Sequence, residues 1–200
     1  MKTAEEFWDW FQKNNHPYLF VNEVENAEKE RLLDLFMEQL HEFCDHLYFE
    51  MGGNPDEDQE LIISAEGIAT YFPKVEELVS KVPAIPGWKV TAFRQPKNEH
   101  FKTGYNGLVF DPQKIYFMPL ENSNEPQLLG IRVMVPGYEE RSKNDFLAGT
   151  YLMLDSLIGE KSVTLDIDYL DINVLGEQQE GIVPVTQLAA YISWKKSQHS

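Results

Sequence analysis

The stretch Glu38–His46, EQLHEFCDH, packs two histidines, three carboxylates and the one cysteine of the chain into nine positions. Side chains of these types bind metals or move protons, so their spacing decides what they can do. On a helix, Glu38, His41, Glu42 and Asp45 fall at i, i+3, i+4 and i+7 and share one face. A zincin needs H-E-x-x-H, with histidines one turn apart. His41 and His46 are five apart, about 140° around a helix, which breaks that pattern. Glu38 and His41 form an E-x-x-H, the half-motif of di-iron bundles, but a second copy is needed and the chain has none. The reading that remains is a solvated acidic helix face, with no metal and no cofactor expected and Cys44 on or beside the apolar stripe.

Two further acidic arrangements invite chemistry. In VTLDIDYLD, read as the longest strand of the chain, Asp166 and Asp168 lie on one face about 7 Å apart, a pair suited to acid–base work or to the water side of a half-buried sheet. Glu50 and Glu66 interrupt or end the apolar runs LYFEMG and IISAEG, and Arg94 closes WKVTAFR. If hairpin register aligns the two strands, Glu50, Ser64 and Glu66 form a polar patch that Arg94 can neutralise. Glu50, Glu66, Arg94, Asp166 and Asp168 are therefore the candidate residues of a small-molecule cleft. NPDEDQE has alternate oxygen side chains but lacks calcium-loop spacing, and reads as a polar hairpin tip. P-loop, G-x-S-x-G and dinucleotide glycine patterns are missing from the sequence.

Charge bears on partners. Seventeen basic residues face thirty-three acidic ones, a net charge of -16 that opposes nucleic-acid binding. Thirteen acids lie within residues 23–60 against Lys29 and Arg31. That block is either a solubilising surface or a docking face for a basic partner protein. No apolar run approaches the ~18 residues of a membrane span. The acidic start, MKTAEEFWDWF, does not read as a signal peptide, and a single cysteine forms no internal disulfide, so a cytoplasmic location is expected.

The elements that position these groups follow from periodicity. Thr3 and Glu6 form a capping box ahead of Phe7, Trp8, Trp10 and Phe11, an aromatic helix that either docks on the body or clasps a partner or second copy. With Glu38, Glu42 and Asp45, Trp8 and Trp10 are the candidate partner-binding residues. A second helix is predicted over 22–44 with Leu32, Leu33, Phe36, Leu40, Phe43, Cys44 and Leu47 as its apolar stripe. Two strands, a helix over 70–82, the strand WKVTAF, a long loop over 95–106, three more strands, a helix over 143–158, the strand KSVTLDIDYLDINVL and a final helix complete the order. The class is α+β: one domain over 1–200, with a helical segment 1–45 packed on a body of about six to seven mostly antiparallel or mixed strands and helices mainly on one face.

LYFEMGGNPDEDQELIISAEG, PGWKVTAFRQP and LDSLIGE, about a fifth of the chain, resemble segments of a family of bacterial cytoplasmic proteins of unknown function. The resemblance implies an α+β bacterial protein and transfers no site residues. In size and charge the chain is also similar to small acidic immunity-type proteins, which neutralise basic toxins. The leading expectation is a non-enzymatic binding protein that uses its acidic face. A carboxylate–arginine cleft in a ligand binder or enzyme, and a homodimer joined through the first helix or a free sheet edge, are the alternatives.

Overall fold

The computed structural model describes residues 2–53, 57–97, 100–121, 123–176 and 181–198. The tip of NPDEDQE at 54–56 and His199 lie outside them. The chain is α+β, and it divides into two compact units, Met1–Arg94 and Gln95–Ser200.

The first unit opens with helix α1 (Ala4–Asn14), capped by the expected Thr3–Glu6 box. Phe7, Trp8 and Phe11 are buried, and Trp8 Nε1 donates to the Leu78 carbonyl at 2.7 Å. A 3-10 turn (His16–Phe20) started by Pro17 precedes helix α2 (Asn26–Phe43). The helix thus begins four residues later than its periodicity indicated, because residues 21–24 form turns and a bend and Glu25 is an extended N-cap residue. Leu32, Phe36, Leu40 and Phe43 are its buried stripe, at steps of three and four. Phe7 and Phe11 meet Phe36 edge-on at 5.5 and 5.4 Å.

Strands β1 (Tyr48–Gly52) and β2 (Gln59–Ser64) form the expected antiparallel hairpin. Helix α3 (Phe72–Ser80) then carries the chain to β3 (Trp88–Ala92), which lies parallel to β2, giving the order β1-β2-β3. Alternation along β1 turns Leu47, Phe49 and Met51 toward the core and sends Glu50 to solvent.

The second unit repeats that logic. A small hairpin comes first, β4 (Thr103–Tyr105) with β5 (Leu108–Phe110), so the predicted loop contains a strand. The antiparallel pair β6 (Tyr116–Leu120) and β7 (Gly130–Val135) follows. Helices α4 (Lys143–Ile158) and α5 (Glu160–Asp166) lead to β8 (Tyr169–Val174), parallel to β7. β9 (Val183–Pro184) pairs with the other edge of β6, ahead of α6 (Leu188–Ser197), and the order is β8-β7-β6-β9. Each unit therefore runs hairpin, helical crossover, parallel strand. Among the described residues nine strands occupy three sheets, where the sequence pointed to six or seven. At Gly149 in α4 an added Cβ would lie 2.1 Å from the Phe110 ring, so only glycine lets β5 approach this helix.

One expectation is corrected here. KSVTLD is helical, so Asp166 ends α5 and Asp168 precedes β8. They are not neighbours on a strand face. Gly159, at φ +87°, ends α4 and allows a second helix to start at once. In that helix Ser162 Oγ donates to Asp166 Oδ2 at 2.7 Å across one turn, and Val163 is buried. β-branched residues alternating with polar ones imitate a strand in sequence, and here the tertiary setting overrides the propensity.

Tyr18 is 1% exposed, and its hydroxyl has no hydrogen-bond partner among the described residues. Burial pushes its pKa up to about 12, partly offset by nearby Arg31. The unfolded phenol titrates near 10. Above pH 10 the unfolded state therefore holds fewer protons than the folded one, and stability falls as pH rises toward 12. Denaturant midpoints measured from pH 9 to 11.5 are expected to decline less steeply in Tyr18→Phe. Removing an unpaired buried hydroxyl is also expected to raise stability at neutral pH by about 1 kcal/mol.

Candidate functional site

The outer face of α2 is built by default. Its inner stripe is fixed in the aromatic core, so residues half a turn away must face water. Glu30, Asp34, Glu38 and Glu42 follow one another at steps of four, about 6 Å of rise each, and all four are exposed. Glu42 reaches Lys2 at 3.1 Å, and Glu28, half-exposed beside this row, pairs with Arg31 at 2.6 Å. Glu30, Asp34 and Glu38 face no cation at ion-pair distance among the described residues. Like charges at i, i+4 each weaken a helix by about 0.2–0.5 kcal/mol. Asp45, exposed just beyond the helix end, lies 3.7 Å from His46, which stacks on Tyr71 at 4.1 Å.

Beside this row lies a groove of about 420 Å³ between α2, the segment before it and β1. Val21, Leu33, Met37, Phe49 and Met51 form its apolar walls, while Asn22, Lys29 and Asp34 supply polar atoms. Lys29 Nζ donates to Asn22 Oδ1 at 2.8 Å. Asp34 belongs both to the acidic row and to the groove lining. β1 pairs with β2 alone, so its outer edge meets no strand among the described residues.

Trp8 is 1% exposed and is a core residue, so it offers no surface to a partner. Trp10 is half-buried against Phe7 and Phe36, with rings 6.0 Å away in each case. Aromatic crowding signals helix docking in this chain. Glu38, Glu42 and Asp45 are exposed, as a wet helix face requires. His41 Nε2 lies 3.2 Å from the Leu47 carbonyl, and because a carbonyl only accepts, this nitrogen carries the proton. Among the described residues no three His, Cys, Asp or Glu side chains are grouped to hold a metal ion.

The arginine centre forms at the carboxyl ends of the parallel strands β2 and β3. Arg94 Nε donates to Glu50 Oε1, and its Nη2 lies 3.9 Å from Glu66. The Arg94 side chain is 15% exposed and the two carboxylates about half exposed. Register sets Tyr48 opposite Ser64 and Glu50 opposite Ile62. Glu66 (φ +48°) and Phe93 (φ +63°) hold left-handed backbone at the two strand ends. Ser64 Oγ accepts from the Glu66 N–H at 2.8 Å, and the Phe93 N–H donates to Ile63 at 2.8 Å. These bonds stabilise the strained backbone and aim Arg94 across the hairpin. Glu50, Glu66 and Arg94 thus come together as a clamp tying β1 to the loops after β2 and β3.

Asp166 and Asp168 belong to the second unit. Both line a cleft of about 410 Å³ with Gln127, Leu128, Leu129, Leu165, Ile192, Lys195 and Lys196. Lys196 pairs with Asp166 at 2.7 Å, and Asp168 accepts the Leu129 N–H at 2.7 Å. Lys195, Lys196 and Met37 carry no site signal in the sequence, and Met51 reads there only as sharing a strand face with Leu47 and Phe49. The same holds for Asp155 and Glu160, which are 8% and 0% exposed on either side of Gly159 and are both partnered. No single-sequence signal marks these residues, because their placement depends on how helices and strands pack.

No family model, curated protein or solved structure matches the chain. Among the described residues no helix is long and apolar enough to cross a membrane.

The clamp carries a prediction. In a double-mutant cycle with Arg94→Met and Glu50→Gln, urea denaturation is expected to give a coupling energy of about 1 kcal/mol or less, because Glu50 is half exposed.

Proposed function

We propose that this protein is a non-enzymatic binding module that captures a basic, amphipathic segment of a partner protein in the groove between α2 and β1. The observation that carries the reading is the junction at Asp34. There Glu30, Asp34 and Glu38, three carboxylates with no cation at ion-pair distance among the described residues, border an apolar groove lined by two methionines. The groove offers area for one or two apolar side chains, and thioethers adapt their shape to what enters. The row offers repeated negative charge at helical spacing, matched to lysines or arginines on a segment lying along it. Each part alone has an ordinary meaning, solubility for the acids and imperfect packing for the groove. Together they complement an occupant that is cationic on one side and apolar on the other.

The helix supports this reading through a local conflict. Glu30, Asp34, Glu38 and Glu42 repel along the row, and a bound cationic segment relieves that repulsion. A net charge of -16 also steers a cationic partner from a distance. One cysteine and no apolar run of membrane-span length in the sequence support a cytoplasmic partner.

The test uses a fluorescein-labelled lysine–leucine peptide with leucines at i, i+3, i+4 and i+7, followed by anisotropy over a salt series. Saturable binding is expected, weakening steeply as salt rises. Replacing Glu30, Asp34 and Glu38 by their amides is expected to weaken it about tenfold and to flatten its salt dependence. The same triple variant is expected to melt slightly higher than the parent, by the repulsion removed. Met37→Gln is expected to weaken binding while leaving the salt slope unchanged. Affinity indifferent to both the triple variant and Met37→Gln would sink the proposal.

A further inference from the structure

The cleft of the second unit has a different chemistry from the groove of the first. Its charged side chains are unequally engaged. Asp166 is fully used: Lys196 holds Oδ1 at 2.7 Å, and Ser162 Oγ donates to Oδ2 at 2.7 Å. That pair neutralises itself. Asp168 is fixed rather than neutralised. Its backbone N–H donates to the Leu129 carbonyl at 2.8 Å, and its Oδ2 accepts the Leu129 N–H at 2.7 Å. Those two bonds lock the residue in place and leave Oδ1 able to accept. Lys195, on α6, spends one N–H on the Pro126 carbonyl at 2.9 Å, and an ammonium has three. Its other two N–H bonds are available.

One anchored carboxylate and one anchored ammonium therefore line the same cleft, each with unused hydrogen-bonding capacity. The apolar side chains of Leu129, Leu165 and Ile192 line the same cleft. Leu165 is 55% exposed, apolar surface that gains from being covered. A volume of about 410 Å³ lies within the usual range for small-ligand sites.

We infer that this cleft binds a small zwitterion with an apolar side chain, of the class of the aliphatic and aromatic α-amino acids. The ligand ammonium donates to Asp168 Oδ1, the ligand carboxylate accepts from Lys195 Nζ, and the side chain covers Leu129, Leu165 and Ile192. A plain amine or a plain carboxylic acid satisfies only one of the two charges, and leaves the other to be desolvated without a partner.

The experiment is calorimetry and amide NMR on the full chain with three probes: L-leucine, L-isoleucine and L-phenylalanine. Isoamylamine and 4-methylpentanoate serve as one-charge controls. At least one amino acid is expected to bind saturably, shifting the Leu129 and Ile192 amides, with both controls weaker by about tenfold. Asp168→Asn keeps an acceptor for the Leu129 N–H and removes the charge. It is expected to lose about tenfold in affinity for the amino acid and nothing for 4-methylpentanoate. Lys195→Met is expected to lose about tenfold in affinity for the amino acid and for 4-methylpentanoate and nothing for isoamylamine, and Lys195→Arg to retain binding. Far-UV circular dichroism confirms that each variant is folded. No binding by any of the three amino acids, or affinities unchanged in Asp168→Asn and Lys195→Met, would overturn the assignment.

Discussion

The acidic face exists because an aromatic cluster holds the helix beneath it. Phe36 is the centre of that cluster, within 6.0 Å of the rings of Phe7, Trp10, Phe11, Tyr18 and Phe49. Burying a phenylalanine or leucine side chain stabilises a fold by about 1.5–3 kcal/mol, and α2 buries Leu32, Phe36, Leu40 and Phe43. Repulsion along the outer row opposes this by about 1 kcal/mol in total. The core therefore dominates, and α2 can carry a row of acids that an isolated helix of the same sequence would tolerate poorly. The capping box of α1 and the Trp8–Leu78 hydrogen bond serve the same end, because they orient the helix whose rings anchor Phe36.

The same anchoring creates the groove. Inward alternation along β1 points Phe49 against Phe36 at 4.3 Å and leaves Met51 beside Met37 in the groove wall. The hairpin is held from its other face by Arg94, whose side chain spans Glu50 and Glu66. Glu50, Glu66 and Arg94, read from the sequence as part of a small-molecule cleft, thus also tie β1 to the segments that follow β2 and β3. They fix the strand that forms one wall of the groove. Left-handed backbone at Glu66 and Phe93 fits that role, since both strained residues are held by hydrogen bonds to β2.

Legibility in the sequence followed the range of the interactions. Local signals were accurate: the Thr3–Glu6 cap, the α2 stripe, the Tyr48–Ser64 hairpin and the 143–158 helix all occur as their residues indicate. The meeting of Glu50, Glu66 and Arg94 was also legible, because hairpin register follows from alternation. The α5 helix was not. VTLD alternates apolar and polar residues, and nothing local shows that Gly159 restarts a helix there. The partition of the strands into three sheets was equally hidden, since pairing partners far apart in sequence leave no local trace. Glu38 and Glu42 were legible as a wet face. The groove beside them was not, because Met37 and Met51 come from a helix and a strand that meet only in the fold.

The central claim, that the α2–β1 groove takes a basic amphipathic segment, is most directly tested at its methionines. The chain has six, of which Met37 and Met51 line the groove, while Met118, Met134 and Met153 lie in the second unit. With methyl-labelled methionine, the lysine–leucine peptide should shift the Met37 and Met51 methyl signals saturably at low salt and leave Met118, Met134 and Met153 in place. Shifts confined to the second unit, or peptide binding that leaves Met37 and Met51 unmoved, would contradict the account.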